Sequence, residues 1–367
     1  MADTRIERLA DLVVNYSVSI RENQEVFIFG PSIAFPLMEE IYKYVLLAGA
    51  HPSIVPRETQ LEDLLYRYGK DHQLEYVSPI GKFAVQKADA LIRIKAERNP
   101  KHLATVNPER IAKSTAPQIE ISDIITERVK KGELVWNLVP FPTDSMAQEA
   151  SMSLLEYEDF VYKACFADTE DPKKEWMKVS ELQQKAVNYL EKKSELHCVG
   201  EDTDITFCIE GRTWVNADGR KNMPDGEVFT GPIEDSAEGV IRFTYPGIYS
   251  GNEVEDIKLT FKKGVVVEAR AQRGEEFLHH MIKIDEGASK VGEIAIGTNY
   301  QITTFTKDIL FDEKMGGTIH MALGRGIPET GNQNRSAIHW DMLKDMKNGG
   351  KIYADGELFY ENGKFLI

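Results

Sequence analysis

The segments GTIHMALG (residues 317–324) and SAIHWD (residues 336–341) determine which fold and which site this sequence predicts. Both alternate in polarity as β-strands do, and successive strand residues point to opposite faces of a sheet. His339 and Asp341 therefore share one face, and His320 has small residues on either side of it on its own face. Burying two imidazoles beside a carboxylate costs free energy unless a cation is present. The two segments thus indicate a divalent metal site in a β-rich region.

Composition and charge exclude several classes of protein. The chain has 367 residues, 42% of them hydrophobic, which is enough for more than one domain of about 100–200 residues. A net charge of −15 argues against a general nucleic-acid binder, which needs clustered Lys and Arg. The polar N-terminus is unlike a signal peptide, and no stretch resembles a membrane span of about 18 apolar residues. Three scattered cysteines are typical of a reducing compartment: Cys165, Cys198 and Cys208. We expect a cytoplasmic protein that binds neither nucleic acid nor membrane.

The first half of the chain alternates strand and helix signals. EVFIFG (residues 25–30) predicts a buried strand, and residues 36–45 have the apolar spacing of a helix. Further short strands are predicted at 53–56, 90–94 and 135–139. This alternation predicts an α/β N-terminal domain with a mostly parallel sheet. The turn at residues 30–35 lacks both GxGxxG and GxxxxGK[ST], so no nucleotide-phosphate site is expected there.

The pattern changes in the second half. An amphipathic stretch at 175–193 predicts a helix that closes the first half. Strand-like segments follow with one helical patch at 275–284, and the chain finishes with a hairpin on Asn362-Gly363. We therefore predict an α+β C-terminal domain rich in antiparallel strands. The predicted boundary lies near residue 195, with an α/β domain at 1–195 and a metal-binding catalytic domain at 196–367.

Six metal-ligand residues in the second half occupy strand or turn positions: Glu227, Glu293, Glu313, His320, His339 and Asp341. A Pro-Asp-Gly turn at 224–226 places Glu227 at the start of a strand. Glu293 has only Ala295 and Gly297 on its face. Such a set fits two divalent ions bridged by a carboxylate. Zinc, cobalt and manganese all accept mixed N/O ligands, and no thiolate singles out zinc.

Each of these residues also has an ordinary structural interpretation. A single acid fits a solvated turn or a surface ion pair, and a single strand histidine fits a hydrogen-bonded core residue. His339 and Asp341 together fit a structural hydrogen-bonded pair. Their joint occurrence in one domain favours a metal site. No GxSxG or Cys/His arrangement supports a serine or cysteine nucleophile. A dinuclear phosphoesterase would need basic residues near the ligands, and because Arg325 and Arg335 are the only obvious ones, this alternative ranks low.

Four segments resemble the aminopeptidase T / aminopeptidase S family of dinuclear metal-dependent exopeptidases. They occur in the family's order, as NMPDGEVFTGP (222–232), GEIAIGTN (292–299), FDEKMGGTIHMALG (311–324) and NQNRSAIHWDM (332–342). The N-terminal half is similar to the family at residues 15–17 and 48–52, so the resemblance covers nearly the whole chain. Four long motifs in one order are far more specific than a single match.

The resemblance implies a site and an activity. The ligands of two divalent ions per subunit would be Glu227, Glu293, His320, His339 and Asp341. Glu293 would be the shared, bridging carboxylate, and Glu313 a further acid that serves as ligand or as general base. The implied enzyme is a homodimeric metallo-aminopeptidase with an enclosed site. It would remove N-terminal residues from short peptides with a free N-terminus, through a water activated by the two ions.

One position departs from the family pattern. The family usually has a tyrosine, thought to be catalytic, just before the proline that follows the ALG segment, and here Ile327 precedes Pro328. Either Tyr245 or Tyr249 supplies the hydroxyl, or the transition state is less well stabilised. Loss of one such donor typically costs ~10²–10³ in rate. The alternative function is therefore a metal-binding homologue with weak or lost peptidase activity.

Overall fold

The computed structural model describes residues 3–367, which form two compact units. The first unit runs to Lys174 and includes Gly219–Pro224, and the second contains Glu175–Asp218 and Asp225–Ile367. The helix expected to close the first half lies mostly in the second unit. The domain boundary near residue 195 stays a prediction.

The first unit is built on a parallel sheet flanked by helices. Its strands are β1 (Glu25–Gly30), β2 (His51–Pro56), β3 (Ala90–Lys95) and β4 (Val135–Pro140). Its helices are α1 (Thr4–Leu12), α2 (Phe35–Leu47), α3 (Thr59–Tyr68), α4 (Asp71–Leu74), α5 (Pro79–Lys87), α6 (Pro108–Thr115), α7 (Ile119–Lys130), α8 (Asp144–Glu149) and α9 (Leu154–Ala164). A π-helical turn, Val13–Ser17, extends α1, and short 3₁₀ turns occupy Ser32–Ala34 and Ala116–Gln118.

The apolar runs of the first half explain this sheet. The strand order is β2-β1-β3-β4, and every neighbouring pair is parallel. Val26, Ile28 and Ile92 are fully buried in the two central strands, because helices between successive strands cover the faces of a parallel sheet. The α/β architecture predicted for this half is confirmed.

The second unit is strand-rich. After α10 (Pro172–Leu190) come β5 (Glu195–Gly200), β6 (Thr203–Cys208), β7 (Val215–Ala217), β8 (Glu227–Thr230), β9 (Glu238–Arg242), β10 (Gly247–Tyr249), β11 (Asn252–Val254), β12 (Lys258–Lys262) and β13 (Val265–Arg270). The remaining elements are α11 (Glu275–Met281), β14 (Val291–Gly297), α12 (Ile309–Asp312), a 3₁₀ turn (Pro328–Thr330), β15 (Thr318–Gly324), β16 (His339–Asp345), β17 (Lys351–Ala354), β18 (Glu357–Glu361) and β19 (Lys364–Phe365).

Two antiparallel sheets share the main core of the second unit. One has the order β13-β12-β9-β6-β5-β17-β18-β19, and the other has the order β16-β15-β14-β8-β7. Side chains from both sheets and from α10 and α11 form one buried cluster, to which Ile241, Ile294 and Met321 belong. The hairpin predicted at Asn362-Gly363 joins β18 to β19, and both turn residues have positive φ. The predicted antiparallel C-terminal region is confirmed. No helix in residues 3–367 combines the length and apolarity that crossing a bilayer requires.

Candidate metal centre

Four neighbouring strands of the smaller sheet carry the candidate ligands on one face. Ile294, Met321 and Trp340 point from β14, β15 and β16 into the core. Because side chains alternate along a strand, the residues next to these face the other side. Glu293 lies opposite Ala322, and Ala322 lies opposite Asp341. The three form a row across β14, β15 and β16.

Small residues leave space at the centre of this face. Ala322 separates the two acids of the row with a single methyl group. In the next row His320 lies opposite Ala295, and in the row after that Glu227 lies opposite Gly297. Side chains directly opposite on antiparallel strands lie about 4.5–5.5 Å apart at Cβ. The long acidic and imidazole side chains therefore converge over positions that hold only a methyl group or a hydrogen.

The carboxylate of Glu293 lies between the two histidines. Its Oε1 is 3.5 Å from Nε2 of His320, and its Oε2 is 3.4 Å from Nε2 of His339. Glu227 Oε2 completes one side at 3.3 Å from His320 Nε2, and Asp341 Oδ1 completes the other at 3.4 Å from His339 Nε2. The result is two groups of potential ligands, one around each histidine, with Glu293 common to both.

Backbone carbonyls orient both imidazoles. Nδ1 of His320 donates to the carbonyl of Glu313 at 2.9 Å, and Nδ1 of His339 donates to the carbonyl of Arg325 at 2.7 Å. A carbonyl oxygen only accepts, so Nδ1 carries the proton in each neutral ring. Nε2 is then left with its lone pair toward the carboxylates. This is the outer-shell arrangement that fixes metal-binding histidines in proteins.

The turn before Glu227 is fixed by its surroundings. Gly226 has a φ of +121°, and a Cβ there would lie 2.6 Å from Cβ of Asn299, so glycine is required. Asn299 Nδ2 donates to the carbonyl of Asp225 at 3.0 Å. The buried amide of Gln183, on α10, donates to the carbonyls of Ala217 and Glu227. These contacts hold the start of β8 in place. Nothing in the sequence near Gln183 indicated this role.

Glu313 lies at the edge of the same cluster, after α12. One of its oxygens lies close enough to His320 and Asp341 for the three to form a third potential ligand group. The buried carboxylate of Asp312 accepts hydrogen bonds from the backbone N–H and Oγ1 of Thr306 at 2.7 and 2.9 Å. This contact anchors the segment that presents Glu313.

Lys314 is the site residue that sequence reasoning missed. Its side chain is fully buried, its ammonium forms an ion pair with Glu313, and Nζ is 3.5 Å from Oε1 of Glu227. The available signal was its position directly after a candidate acid. A lysine beside an acid is usually a solvated surface residue, so the signal was weak.

The side chains of the cluster differ in their exposure to solvent. The side chains of His320 and Glu293 are 1% and 5% exposed, whereas those of Glu313 and His339 are 18% and 24% exposed. Glu313 and His339 are therefore more accessible to solvent than His320 and Glu293.

Charges within the cluster shift its pKa values. Burial raises the pKa of Glu227. Burial also opposes ionisation of Glu293, but the imidazoles of His320 and His339 outweigh it and lower the pKa of that carboxyl. Burial disfavours the charged form of His339, yet Asp341 and Glu293 raise the pKa of its imidazole to about 11. Without a metal, protonated imidazoles therefore compensate part of the acidic charge, and a metal ion takes their place by releasing protons.

Unsatisfied buried atoms show that the residues fit a metal. Within residues 3–367, Glu227 Oε2, His320 Nε2 and Asp341 Oδ1 are buried without a hydrogen-bond partner. The separations of 3.3–3.5 Å between these groups do not provide hydrogen-bond geometry. Each such atom costs about 1–3 kcal/mol. A divalent cation would satisfy all three at once, and a mixed imidazole and carboxylate set suits zinc, cobalt or manganese.

The remaining positions of interest have other contacts. Ile327 is half-buried, and its carbonyl accepts from N–H and Oγ1 of Thr330 at 3.0 and 2.7 Å. The hydroxyl of Tyr245 donates to Sδ of Met315 at 3.5 Å, and Tyr249 packs against Trp340.

Fold and site together define a candidate metalloenzyme. The sequence profile of the thermophilic metalloprotease (M29) family matches residues 2–365. The chain belongs to this family, and it is a metalloprotease with divalent metal as its cofactor. The resemblance found in the four sequence motifs is confirmed.

Relatives and a solved structure agree with this assignment. Aminopeptidase 2 of Geobacillus stearothermophilus is 28% identical over 96% of this chain and 91% of its own length. Aminopeptidase T of Thermus thermophilus is 26% identical over 96% of this chain and 95% of its own length. The structure of wild-type AmpT from Thermus thermophilus has a TM-score of 0.86 at 23% identity, covering 99% of each chain. The structural similarity supports the fold.

Proposed function

We propose that this metallo-aminopeptidase removes N-terminal residues from short peptides and uses two divalent ions to do so. The observation that carries the proposal is the position of Glu293, whose two oxygens lie 3.5 and 3.4 Å from Nε2 of His320 and His339. A carboxylate between two imidazoles is the arrangement expected of a bridging ligand in a two-metal site.

The ligand groups divide into two sets. Glu227, Glu293 and His320 would hold one ion, and Glu293, His339 and Asp341 the other. When bound, such ions lower the pKa of a water molecule and polarise the carbonyl of the scissile bond. Proton transfer and the positioning of the substrate are the work of the protein's own side chains.

Glu313 is the proposed general base. It lies near His320 and Asp341, and its side chain is more exposed than those of His320 and Glu293. There it would accept a proton from the attacking water and pass it to the leaving amine, a role worth about 10²–10⁴ in rate. Glu293 has the second catalytic role because it fixes the relative position of the two ligand groups. Binding of the free α-amino group at the same cluster would restrict cleavage to the N-terminal residue.

Metal identity, location and assembly stay predictions. The N/O ligand set is consistent with zinc, cobalt or manganese. All three cysteines are free, which accords with the predicted cytoplasmic location. A homodimer with an enclosed site would explain a restriction to short peptides.

The alternative of a homologue with weak or lost activity is not favoured. It depends on Ile327, whereas the relatives described above carry aminopeptidase names. Their matches extend over nearly the full length of this chain.

Hydrolysis of aminoacyl anilides tests the proposal. The purified protein is assayed with and without a chelator, and Zn²⁺, Co²⁺ or Mn²⁺ is then added back. We expect chelation to abolish activity and a divalent ion to restore it, with two ions bound per chain. An N-acetylated substrate should not be cleaved.

Glu293→Gln provides the matched test, with Glu268→Gln as control because Glu268 forms an exposed ion pair with Arg270. Glu293→Gln should lower activity by more than the ~10–100-fold typical of outer-shell substitutions. A folded, metal-loaded protein that cleaves no anilide would contradict the peptidase. Activity that survives chelation would contradict the role of the metal.

A further inference from the structure

The parallel sheet of the first unit changes its winding direction between β1 and β3. In the order β2-β1-β3-β4, the chain adds β2 on one side of β1 and adds β3 and β4 on the other side. Open α/β sheets bind ligands at such a switch point, in the crevice outside the carboxyl ends of the two strands. The ends of β1 and β3 are therefore a place where the fold itself can accommodate a ligand.

Two arginines lie at this switch point, on either side of one aromatic ring. Arg93 of β3 lies directly opposite Phe29 of β1. Arg57 follows β2, and its guanidinium lies 5.4 Å from the centre of the Phe29 ring. The backbone N–H of Arg57 donates to the carbonyl of Gly30 at 2.9 Å. This hydrogen bond holds Arg57 beside the end of β1, so both guanidiniums belong to the same edge of the sheet.

The charges of these two arginines are not neutralised. Within residues 3–367, neither guanidinium forms an ion pair or a hydrogen bond with another side chain. By contrast, three other arginines of the first unit each pair with a carboxylate: Arg5, Arg67 and Arg128. Partial removal of the Arg93 guanidinium from water, together with the charge of Arg57, lowers the pKa of Arg93. Two like charges held close together favour the binding of an anion between them.

The turn after β1 already has an acid of its own. The backbone N–H of Ser32 donates to Oε1 of Glu58 at 2.6 Å, and the guanidinium of Arg98 lies 3.5 Å from Oγ of Ser32. Hydrogen bonds from Ser32, and then the charge of Arg98, hold the pKa of Glu58 below its usual value. The turn also lacks a glycine-rich loop that could surround a phosphate with backbone N–H groups. An anion at this edge would therefore be held by the side chains of Arg57 and Arg93.

We propose that Arg57 and Arg93 bind the phosphate group of a small ligand at the switch point of the parallel sheet. The planar fork of a guanidinium matches pairs of phosphate oxygens. A phosphate carries close to two negative charges at neutral pH, which balances the two guanidiniums, whereas chloride would balance one. Both arginines retain exposed surface, so a dissolved anion can reach them. Free phosphate and a phosphate monoester present the same chemistry to this pair.

Titration calorimetry of the full-length chain tests the proposal. The probes are inorganic phosphate, glycerol 3-phosphate as a monoester, and chloride at equal ionic strength. We expect one phosphate group to bind per chain and chloride to give no saturable heat. A lower Kd for the monoester would identify an ester as the ligand, and an equal or lower Kd for inorganic phosphate would identify the free ion.

Two substitutions locate the binding site. Arg57→Gln and Arg93→Gln should each raise the phosphate Kd about tenfold or more, because each removes hydrogen bonds between charged groups. Arg67→Gln is the matched control in the same unit, because Arg67 is exposed and pairs with Asp63. It should leave the phosphate Kd unchanged. Phosphate binding that survives both substitutions would overturn the proposal, because the anion would then bind elsewhere, the candidate metal centre included.

Thermal unfolding separates loss of binding from loss of folding. In phosphate-free buffer both variants should have the Tm of the wild type, and added phosphate should raise the Tm of the wild type and of Arg67→Gln alone. If Arg93→Gln has a lower Tm, Arg93→Lys replaces it, since lysine keeps the charge but lacks the planar fork. Arg93→Lys should still bind phosphate more weakly than the wild type, and an equal Kd would overturn the proposal. Absence of saturable binding of either phosphate to the wild type would overturn it as well.

Discussion

The imidazole of His339 donates from Nδ1 to the backbone carbonyl of Arg325 at 2.7 Å. The two residues lie 14 positions apart in the chain, and the pairing of β15 with β16 brings them together. The orientation of one candidate ligand thus depends on the backbone path just after β15. That path is set by Gly324, which lies opposite His339 and has a φ of +97°.

Gly324→Ala should therefore weaken the metal centre without changing any ligand. An added Cβ would lie 2.7 Å from Cγ1 of Ile338 and closer still to its carbonyl oxygen. We expect a loss of about 1–3 kcal/mol in unfolding free energy and about tenfold weaker metal binding. Thermal unfolding measures the change in stability, and calorimetry measures the change in metal affinity. Gly251→Ala is the control, because Gly251 also has positive φ but has no atom within 4 Å of the added Cβ. Equal metal affinity in the two variants would contradict the role of Gly324.

Ala322→Val tests whether the space between Glu293 and Asp341 is needed. Valine suits a strand, and the added methyl groups would occupy the centre of the ligand row. We expect metal binding to be lost, with a stability cost of about 1–3 kcal/mol from overpacking. Ala322→Gly, which keeps the space open, should retain the metal. Metal content by elemental analysis separates the two, and normal content in Ala322→Val would show that the ions lie elsewhere.

Metal should stabilise the folded chain. Glu227 Oε2, His320 Nε2 and Asp341 Oδ1 have no hydrogen-bond partner within residues 3–367, and a bound cation satisfies them. A ligand present at 100 times its Kd adds about 2.7 kcal/mol to the unfolding free energy. Thermal unfolding of the chelated protein, repeated at increasing zinc concentration, should give a rising Tm. A Tm that is independent of zinc would contradict binding at this cluster, and magnesium serves as the control for a hard cation that prefers oxygen ligands.

Asp285 connects the turn after α11 to the segment that leads into β16. Its Oδ1 accepts from the N–H groups of Gly287 and Ala288 at 2.9 Å, and its Oδ2 accepts from Oγ of Ser336 and N–H of Ala337 at 3.0 and 2.8 Å. The hydrogen bond from Ala337, together with the others, lowers the pKa of Asp285 below its usual value.

Asp285→Asn should destabilise the protein at neutral pH, because one acceptor oxygen becomes a donor. The cost should be limited to about 1 kcal/mol, because the site is partly exposed. A lowered folded-state pKa means that the ionised form stabilises the fold above the unfolded pKa of ~3.9. This contribution is lost as the pH falls through the lower, folded-state pKa. Urea unfolding at pH 7 and pH 3 should therefore show a smaller difference between variant and wild type at the lower pH. If variant and wild type differ in stability by the same amount at both pH values, the ionic contribution is contradicted. Glu286→Gln is the control at an exposed acid.

Residue alternation was sufficient to predict much of the site. It placed His339 with Asp341 and placed small residues beside His320 and Glu293, because a period of two is a local property of strands. Consecutive strands often pair, which made the proximity of β14, β15 and β16 foreseeable. The pairing of β8 with β14 was not foreseeable, because five strands lie between them in the chain. The inward direction of Lys314 depends on a turn anchored by Asp312 and Thr306, and no local pattern encodes it.

Five of the six candidate ligands project from strands, and this has a consequence for how the protein can vary. Neighbouring strands lie about 4.8 Å apart because of their hydrogen bonds. The separation of the two ligand groups is therefore a property of the backbone ladder, not of any surface loop. Insertions or substitutions in the loops around β14, β15 and β16 can change which peptides enter while the spacing of the reactive centre stays constant. Substrate preference and the chemical step can thus evolve separately in this chain.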